Sequence, residues 1–324
     1  MKKTFPREIT IIYGLKNKAY HIKLLEARGK SAGPTVWLVA GIHGEEVGGV
    51  ATAREIMKQL SRKGLERGAV YAIPGANPTA ISVKARSIPE SNEDLNRSFP
   101  GKKNGSLGKR IAEQIFSIIT ETKPNIVLDL HNDWIASIPY TLIDPYPGLR
   151  RRKAFLAAEK IANETGFVVV HEEEETEGAS WRKTLSGSLL SRGIPAITLE
   201  LGGAFTVNKT NVKAGVAAIW NVLASLKMVN PRDTKPLFQT PPLFAGATLT
   251  YSGEPKIKTK GTVRFLACPG DIVKPKQIIA EVIDAKRKIR ETVKAKYTGV
   301  VLGNADTTSA YPGFEAFAFA AVKK

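Results

Sequence analysis

The sequence predicts an α/β fold, a mixed and largely parallel sheet with helices on both faces, followed by a smaller all-β C-terminal region. Three observations predict it. Short, continuous, β-branched-rich apolar runs stand at 35–40 (TVWLVA), 69–73, 125–130, 167–170 and 196–200. Runs of that length without polar alternation suit strands buried on both faces, as in a parallel sheet. Helical patterns separate them, and strand–helix alternation wraps a sheet in helices. After Val229 the texture changes to short segments punctuated by glycine, a pattern of strands and turns.

Taken in order, the first helical pattern spans 48–60, with Val50, Ala53, Ile56, Met57 and Leu60 on one stripe. The second spans 106–120, with Leu107, Ile111, Ile115, Ile118 and Ile119. Further helices are expected over 149–164 and 211–226. Asn230-Pro231 and the segment Lys235–Pro242 read as a linker, so a boundary is expected near 231. Residues 1–230 then form one α/β domain and residues 231–324 a second, β-rich domain without helices. Glycines 253, 261, 270, 299, 303 and 313 punctuate its short alternating segments.

The 324 residues are 43% hydrophobic and 24% charged, the balance of a folded globular chain, which excludes wholesale disorder. The 28 glycines and 19 prolines follow no collagen-like period. No apolar run reaches the roughly 18–20 residues of a membrane span. MKKTFPREIT lacks the apolar stretch of a secretion signal, and the single cysteine, Cys268, forms no internal disulfide and no Cys-rich metal site. A cytoplasmic protein is expected. The net charge of +18 raises the question of an anionic partner. It is spread as +10 over 1–230 and +8 over 231–324. The one short basic run, Arg150–Lys153, opens a helical pattern and reads as a solvated face, as does the acidic run Glu172–Glu175.

Chemistry-bearing residues gather after the strands. Residues 41–49 read GIHGEEVGG, placing His43 and Glu46 in H-x-x-E spacing directly after TVWLVA. An imidazole and a carboxylate three apart in a glycine-relaxed turn can converge on one cation, and zinc accepts both. His131 follows NIVLDL, with Asp129 on the same side of that strand and able to orient it. Glu200 ends AITLE just before Gly202-Gly203. All three groups fall at carboxyl ends of expected parallel strands, where open α/β sheets place their sites. Two imidazoles and one carboxylate leave zinc an open position for water, and Glu200 is then free to act as general base and acid. Arg86 and the segment Asp94-Leu-Asn96-Arg97 add fixed cations and donors suited to a carboxylate.

The ordered set H-x-x-E, N-P-x-A at Asn77–Ala80, R…DLNRSFPG, DLH and ELGG resembles the succinylglutamate desuccinylase/aspartoacylase family, relatives of the zinc carboxypeptidases, over roughly residues 32–324. The resemblance implies a zinc carboxypeptidase-like fold and one Zn2+ per chain held by His43, Glu46 and His131. It implies Glu200 as activator of the metal-bound water, Arg86 as the group that polarises the scissile carbonyl, and Asn96 and Arg97 as holders of a substrate carboxylate. The expected activity is removal of an N-acyl group from an amino acid or similar small carboxylate-bearing amide. Arg182 is a further candidate contact. Residues 261–301 are similar to biotinyl/lipoyl-type hybrid barrels, with G-D-x-V-K at Gly270–Lys274 and a hairpin near 285–287. No carrier-lysine context surrounds Lys286 or Lys288, so an unmodified region beside the active site is expected. Two alternatives remain open. One is a carboxypeptidase-like peptidase. The other is a basic nucleic-acid or anionic-surface binder whose metal site is not catalytic, which the scattered charge and lack of interleaved aromatics disfavour.

Overall fold

A computed structural model describes residues 8–13, 18–173, 180–232 and 237–323. Glu174 and Glu175 of the acidic run, Lys235 and Pro236 of the linker, and the first seven residues lie outside the described residues.

The main sheet has eleven strands. Its central strands are Leu25–Ala40, Ile126–Asp133 and Ala196–Gly203, mutually parallel neighbours in that order. Pro139–Ile143 then pairs antiparallel with Ala196–Gly203 and parallel with Val168–His171, which makes the sheet mixed. Alternation along each strand explains the continuous apolar runs. Val36, Leu38 and Ala40 enter one core, whereas Trp37 and Val39 enter the core on the opposite face. Helices Val47–Lys63, Arg152–Glu164 and Lys209–Ser225 bury Ala53, Ile56, Ala158 and Ile219 against the first face. Leu107–Glu121 and Leu185–Leu190 cover the second with Ile111, Ile115 and Leu189. The expected fold class is the observed one.

Several bounds differ from expectation. The strand expected at 196–200 runs on through Gly203, so Glu200 lies within it. The helix expected over 149–164 divides into a 3-10 turn, Leu149–Arg151, and an α-helix from Arg152. Four features had no counterpart in the sequence reading: the hairpin Glu8–Tyr13/Lys18–Lys23, the short helices Pro78–Val83 and Leu185–Leu190, and the strand Pro139–Ile143, whose proline sits at its first position, where no ladder hydrogen bond is lost.

Beyond residue 237 the described chain carries no α-helix, only a 3-10 turn at Pro242–Phe244. A separate four-stranded antiparallel sheet is built from Gly261–Phe265, Ile278–Ile283, Ile289–Lys294 and Ser309–Ala310. Other strands of this region extend the main sheet. Thr250 pairs with His171, and Thr250–Ser252 pairs with Phe317–Val322. Gly303 of Thr298–Asn304 pairs with Ser137, and Ile135 N donates to Asp306 Oδ1 at 2.6 Å. The C-terminal region is therefore fastened to the loop that follows His131. Among the described residues no helix is long and apolar enough to cross a membrane.

Candidate metal centre

Three segments deliver the site. Strand Leu25–Ala40 ends before Gly41 (φ 67°), which turns the chain out of the sheet in a conformation that glycine adopts without strain. The turn packs closely: a Cβ on Gly44 would stand 2.1 Å from the Ala80 carbonyl oxygen. His43 lies in this turn, and Glu46 is the residue before helix Val47–Lys63. Strand Ile126–Asp133 delivers Asp129 and His131 on the face opposite Leu128 and Leu130. Glu200 stands directly beside His131 in the parallel register, and Tyr140 stands beside Glu200 on its other side.

Both imidazoles turn the same nitrogen inward. His43 Nδ1 lies 2.6 Å from one oxygen of Glu46, and His131 Nδ1 lies 2.7 Å from the other. Their outer nitrogens meet carboxylates. His43 Nε2 is 3.1 Å from Asp94 Oδ1, and His131 Nε2 is 3.1 Å from Asp129 Oδ2. The hydrogen bond to Asp94 fixes the orientation and tautomer of the His43 ring, and Asp129, at ion-pair distance behind His131, favours positive charge on that ring. His43, Glu46 and His131 are 2–4% exposed, and one potential ligand atom from each falls within 4.8 Å of the others.

The electrostatics favour positive charge between the three side chains. Burial alone would make each imidazole harder to protonate, but Glu46 with Asp94 hold the pKa of His43 above its ordinary value, and Asp129 with Glu46 hold that of His131 well above. Burial would raise Glu46; His131 and His43 outweigh it and bring it down to about 2. Glu200 goes the other way. Burial lifts its pKa well above the carboxylate range against the pull of His131, with Asp133, Glu46 and Asp129 adding to the rise. Its buried Oε2 has no hydrogen-bond partner. A nitrogen–oxygen–nitrogen donor set, surrounded by excess carboxylate and beside an orphaned carboxylate oxygen, fits a divalent cation of the zinc type.

The other expected residues are placed as follows. Arg86 is half exposed, and its Nη2 lies 3.2 Å from Asp94 Oδ2, one residue removed from His43. Arg97 ends the 3-10 turn Leu95–Arg97, is exposed, and donates from Nη1 to the Asn96 carbonyl at 3.0 Å. Asn96 is buried, and its Oδ1 accepts from Leu185 N at 3.0 Å, so that oxygen tethers the segment to helix Leu185–Leu190. Arg182 stacks on Trp181, its guanidinium 4.6 Å from the ring centroid. Sequence reading gave Asp94 no role, although the residue stood in the quoted segment. It also missed the pair Tyr140–Asp133, in which the phenol donates to Oδ2 at 2.9 Å beside Glu200. Tyr140 lies on the strand that carried no signal.

A buried carboxylate behind the site has a measurable consequence. Asp144 follows strand Pro139–Ile143, is 5% exposed, and its Oδ2 has no partner. Burial pushes its pKa up to about 7, with Glu172 and Asp129 adding to a rise that a Ser186 hydrogen bond opposes. The folded protein therefore holds this proton more tightly than the unfolded chain. The resulting stability is complete below the ordinary carboxyl pKa of ~4 and is lost as pH rises from there to about 7. Thermal melts of Asp144→Asn should lose less stability across that window than wild type, by on the order of a few kcal/mol. An unchanged pH slope would show that Asp144 is not the source.

Comparison with known proteins gives a consistent answer. Residues 32–226 match the family model described as the succinylglutamate desuccinylase/aspartoacylase catalytic domain. Over 103 residues the chain is 33% identical to the N-alpha-acetyl-L-2,4-diaminobutyric acid deacetylase of Halomonas elongata, a match covering 32% of this chain and 30% of that protein. The crystal structure of an aspartoacylase family protein from Mesorhizobium loti superimposes with a TM-score of 0.77 at 20% identity, over 98% of this chain and 94% of that one. A metallo-carboxypeptidase from Burkholderia cenocepacia superimposes with a TM-score of 0.50 at 15% identity, over 69% and 65% of the two chains. The superposed part shares its fold with that metallo-carboxypeptidase.

Proposed function

The chain belongs to the succinylglutamate desuccinylase/aspartoacylase family, and from that premise we propose that it is a zinc-dependent amidohydrolase that removes the N-acyl group from an amino acid or similar small carboxylate-bearing amide. The observation that carries this reading is the convergence of His43 Nδ1, Glu46 and His131 Nδ1, with the unpartnered carboxylate of Glu200 in register beside His131. One Zn2+ in that position would supply Lewis acidity, activating a water and polarising the acyl carbonyl.

The chain's residues do the rest. Asp94 and Asp129 hold the two imidazoles with their inward nitrogens unprotonated toward the cation. Glu200 accepts the proton of the attacking water. It then delivers that proton to the leaving amine. Arg86, tethered through Asp94, faces the oxyanion as charge develops on the carbonyl oxygen. Asn96 presents its amide nitrogen and Arg97 its guanidinium to the substrate carboxylate.

Arg97→Ala tests the recognition step. A charge-assisted contact of ~2 kcal/mol corresponds to about a 30-fold rise in KM for carboxylate substrates. Substrate esters or amides should be affected far less. Equal losses for both would mean that Arg97 acts through the fold. The overall reading is tested by screening zinc-loaded protein against a panel of N-acetyl, N-succinyl and other N-acyl amino acids. The panel includes the N-acetyl diamino acid for which the Halomonas relative is named. Hydrolysis confined to C-terminal peptide bonds would replace the reading with a carboxypeptidase. Failure across the whole panel with a full zinc complement would overturn it.

A further inference from the structure

At the opposite end of the central strands from the metal centre lies a cleft of about 520 Å3. Its floor includes Pro124 and Asn125, which precede the strand carrying His131, and Pro195, which precedes the strand carrying Glu200. Four cations line it, Arg150, Arg151, Lys153 and Arg192, and among the described residues no carboxylate does. They come from two separate segments, the start of helix Arg152–Glu164 and the turn after helix Leu185–Leu190.

The arrangement runs against local physics. A helix N-terminus carries partial positive charge and favours acidic residues in its first turn. This helix has none there, and cations occupy the four positions from Arg150 to Lys153. Two of the four cations are held in place. Arg151 donates from Nε to the Ser191 carbonyl at 2.9 Å, and the Arg192 guanidinium lies over the Phe116 ring at 4.8 Å. A local rule broken without a protein partner to offset it points to a functional site, and here the missing partner is an anion.

We propose that this cleft binds a phosphate chain, the polyphosphate group of a small molecule, at a site separate from the metal centre. Arginines with fork-like donors, brought to one cleft from two segments, match the oxygens of such a chain. The volume accommodates a nucleotide-sized ligand. Single-stranded nucleic acid is disfavoured because no aromatic face is open to stack a base; the Phe116 ring is covered by Arg192.

The test is calorimetric titration of the full-length, zinc-loaded protein with tripolyphosphate, adenosine triphosphate and a short oligouridylate. The variant Arg150→Glu/Lys153→Glu reverses the two cations for which no structural bond is described. Wild type should bind tripolyphosphate saturably, and the variant should bind at least about tenfold more weakly, the loss of one charge-assisted contact or more. Its melting temperature and basal activity should be unchanged. A reversal of exposed cations elsewhere, Lys274→Glu/Lys276→Glu, should leave affinity intact. Equal affinity for the two phosphate ligands assigns recognition to the chain alone, and tighter adenosine triphosphate binding adds the nucleoside. No saturable binding at millimolar ligand would overturn the proposal. So would equal binding by the Arg150→Glu/Lys153→Glu variant, which would place the ligand on the metal, or preference for the oligouridylate, which would make the face a nucleic-acid surface.

Discussion

Glu200→Gln should lower kcat by ~10²–10⁴-fold, the range for removing a general base. The upper part is expected, because the same carboxylate both takes the water's proton and returns it to the amine. Glutamine keeps the shape of the side chain and one carbonyl oxygen but cannot accept a proton at working pH. Zinc content and substrate affinity should therefore stay near wild type, because His43, Glu46 and His131 remain. Stopped-flow single turnovers with metal analysis on the same sample separate these quantities. If the variant loses its zinc, Glu200 is a ligand. If kcat is nearly normal, the base must be sought among its neighbours, with Asp133, hydrogen-bonded to Tyr140, foremost.

His131→Ala should abolish stoichiometric zinc and, with it, activity. It removes one of three donors, leaves Asp129 buried without its imidazole and takes one of two imidazoles from Glu46. Breaking a buried charge pair on one side costs about 3–5 kcal/mol. A melting measurement is therefore needed beside the metal assay. Asp129→Asn provides the contrast. It spares the donor and disturbs only its support, so zinc affinity should fall about 10–100-fold while saturating zinc restores activity. Full zinc retention by His131→Ala in a folded protein would remove His131 from the ligand set.

Much of this was legible in the sequence because parallel sheets write themselves as continuous apolar runs. TVWLVA, NIVLDL and AITLE each bury both faces, and the polar residues that interrupt or end them stand out against that background. Asp129 and Glu200 are such residues, His131 follows NIVLDL at once, and His43 and Glu46 stand in the glycine-rich turn after TVWLVA. Period-two alternation sufficed to place Asp129 on the side of His131. What stayed hidden depends on pairing between distant segments. Tyr140 reaches Glu200 only because Pro139–Ile143 inserts antiparallel next to Ala196–Gly203. Asp94 reaches His43 across 51 residues of chain, and Asp306 reaches Ile135 across 171. The linker composition after Val229 placed a boundary near 231, but it carried no sign that Thr250–Ser252 and Phe317–Val322 join the sheet that holds the site. Local composition records where a chain can turn and says nothing of which edge a later strand will find.

Anomalous diffraction at the zinc absorption edge from crystals of the zinc-loaded protein decides whether His43, Glu46 and His131 hold one zinc while Glu200 stands beside it unbound. One strong peak per chain is expected, about 2.0–2.2 Å from His43 Nδ1, a Glu46 oxygen and His131 Nδ1, with the Glu200 carboxylate beyond bonding distance. A peak that includes Glu200 among its ligands, is bonded through the outer nitrogens, or stands away from these three side chains would contradict this assignment.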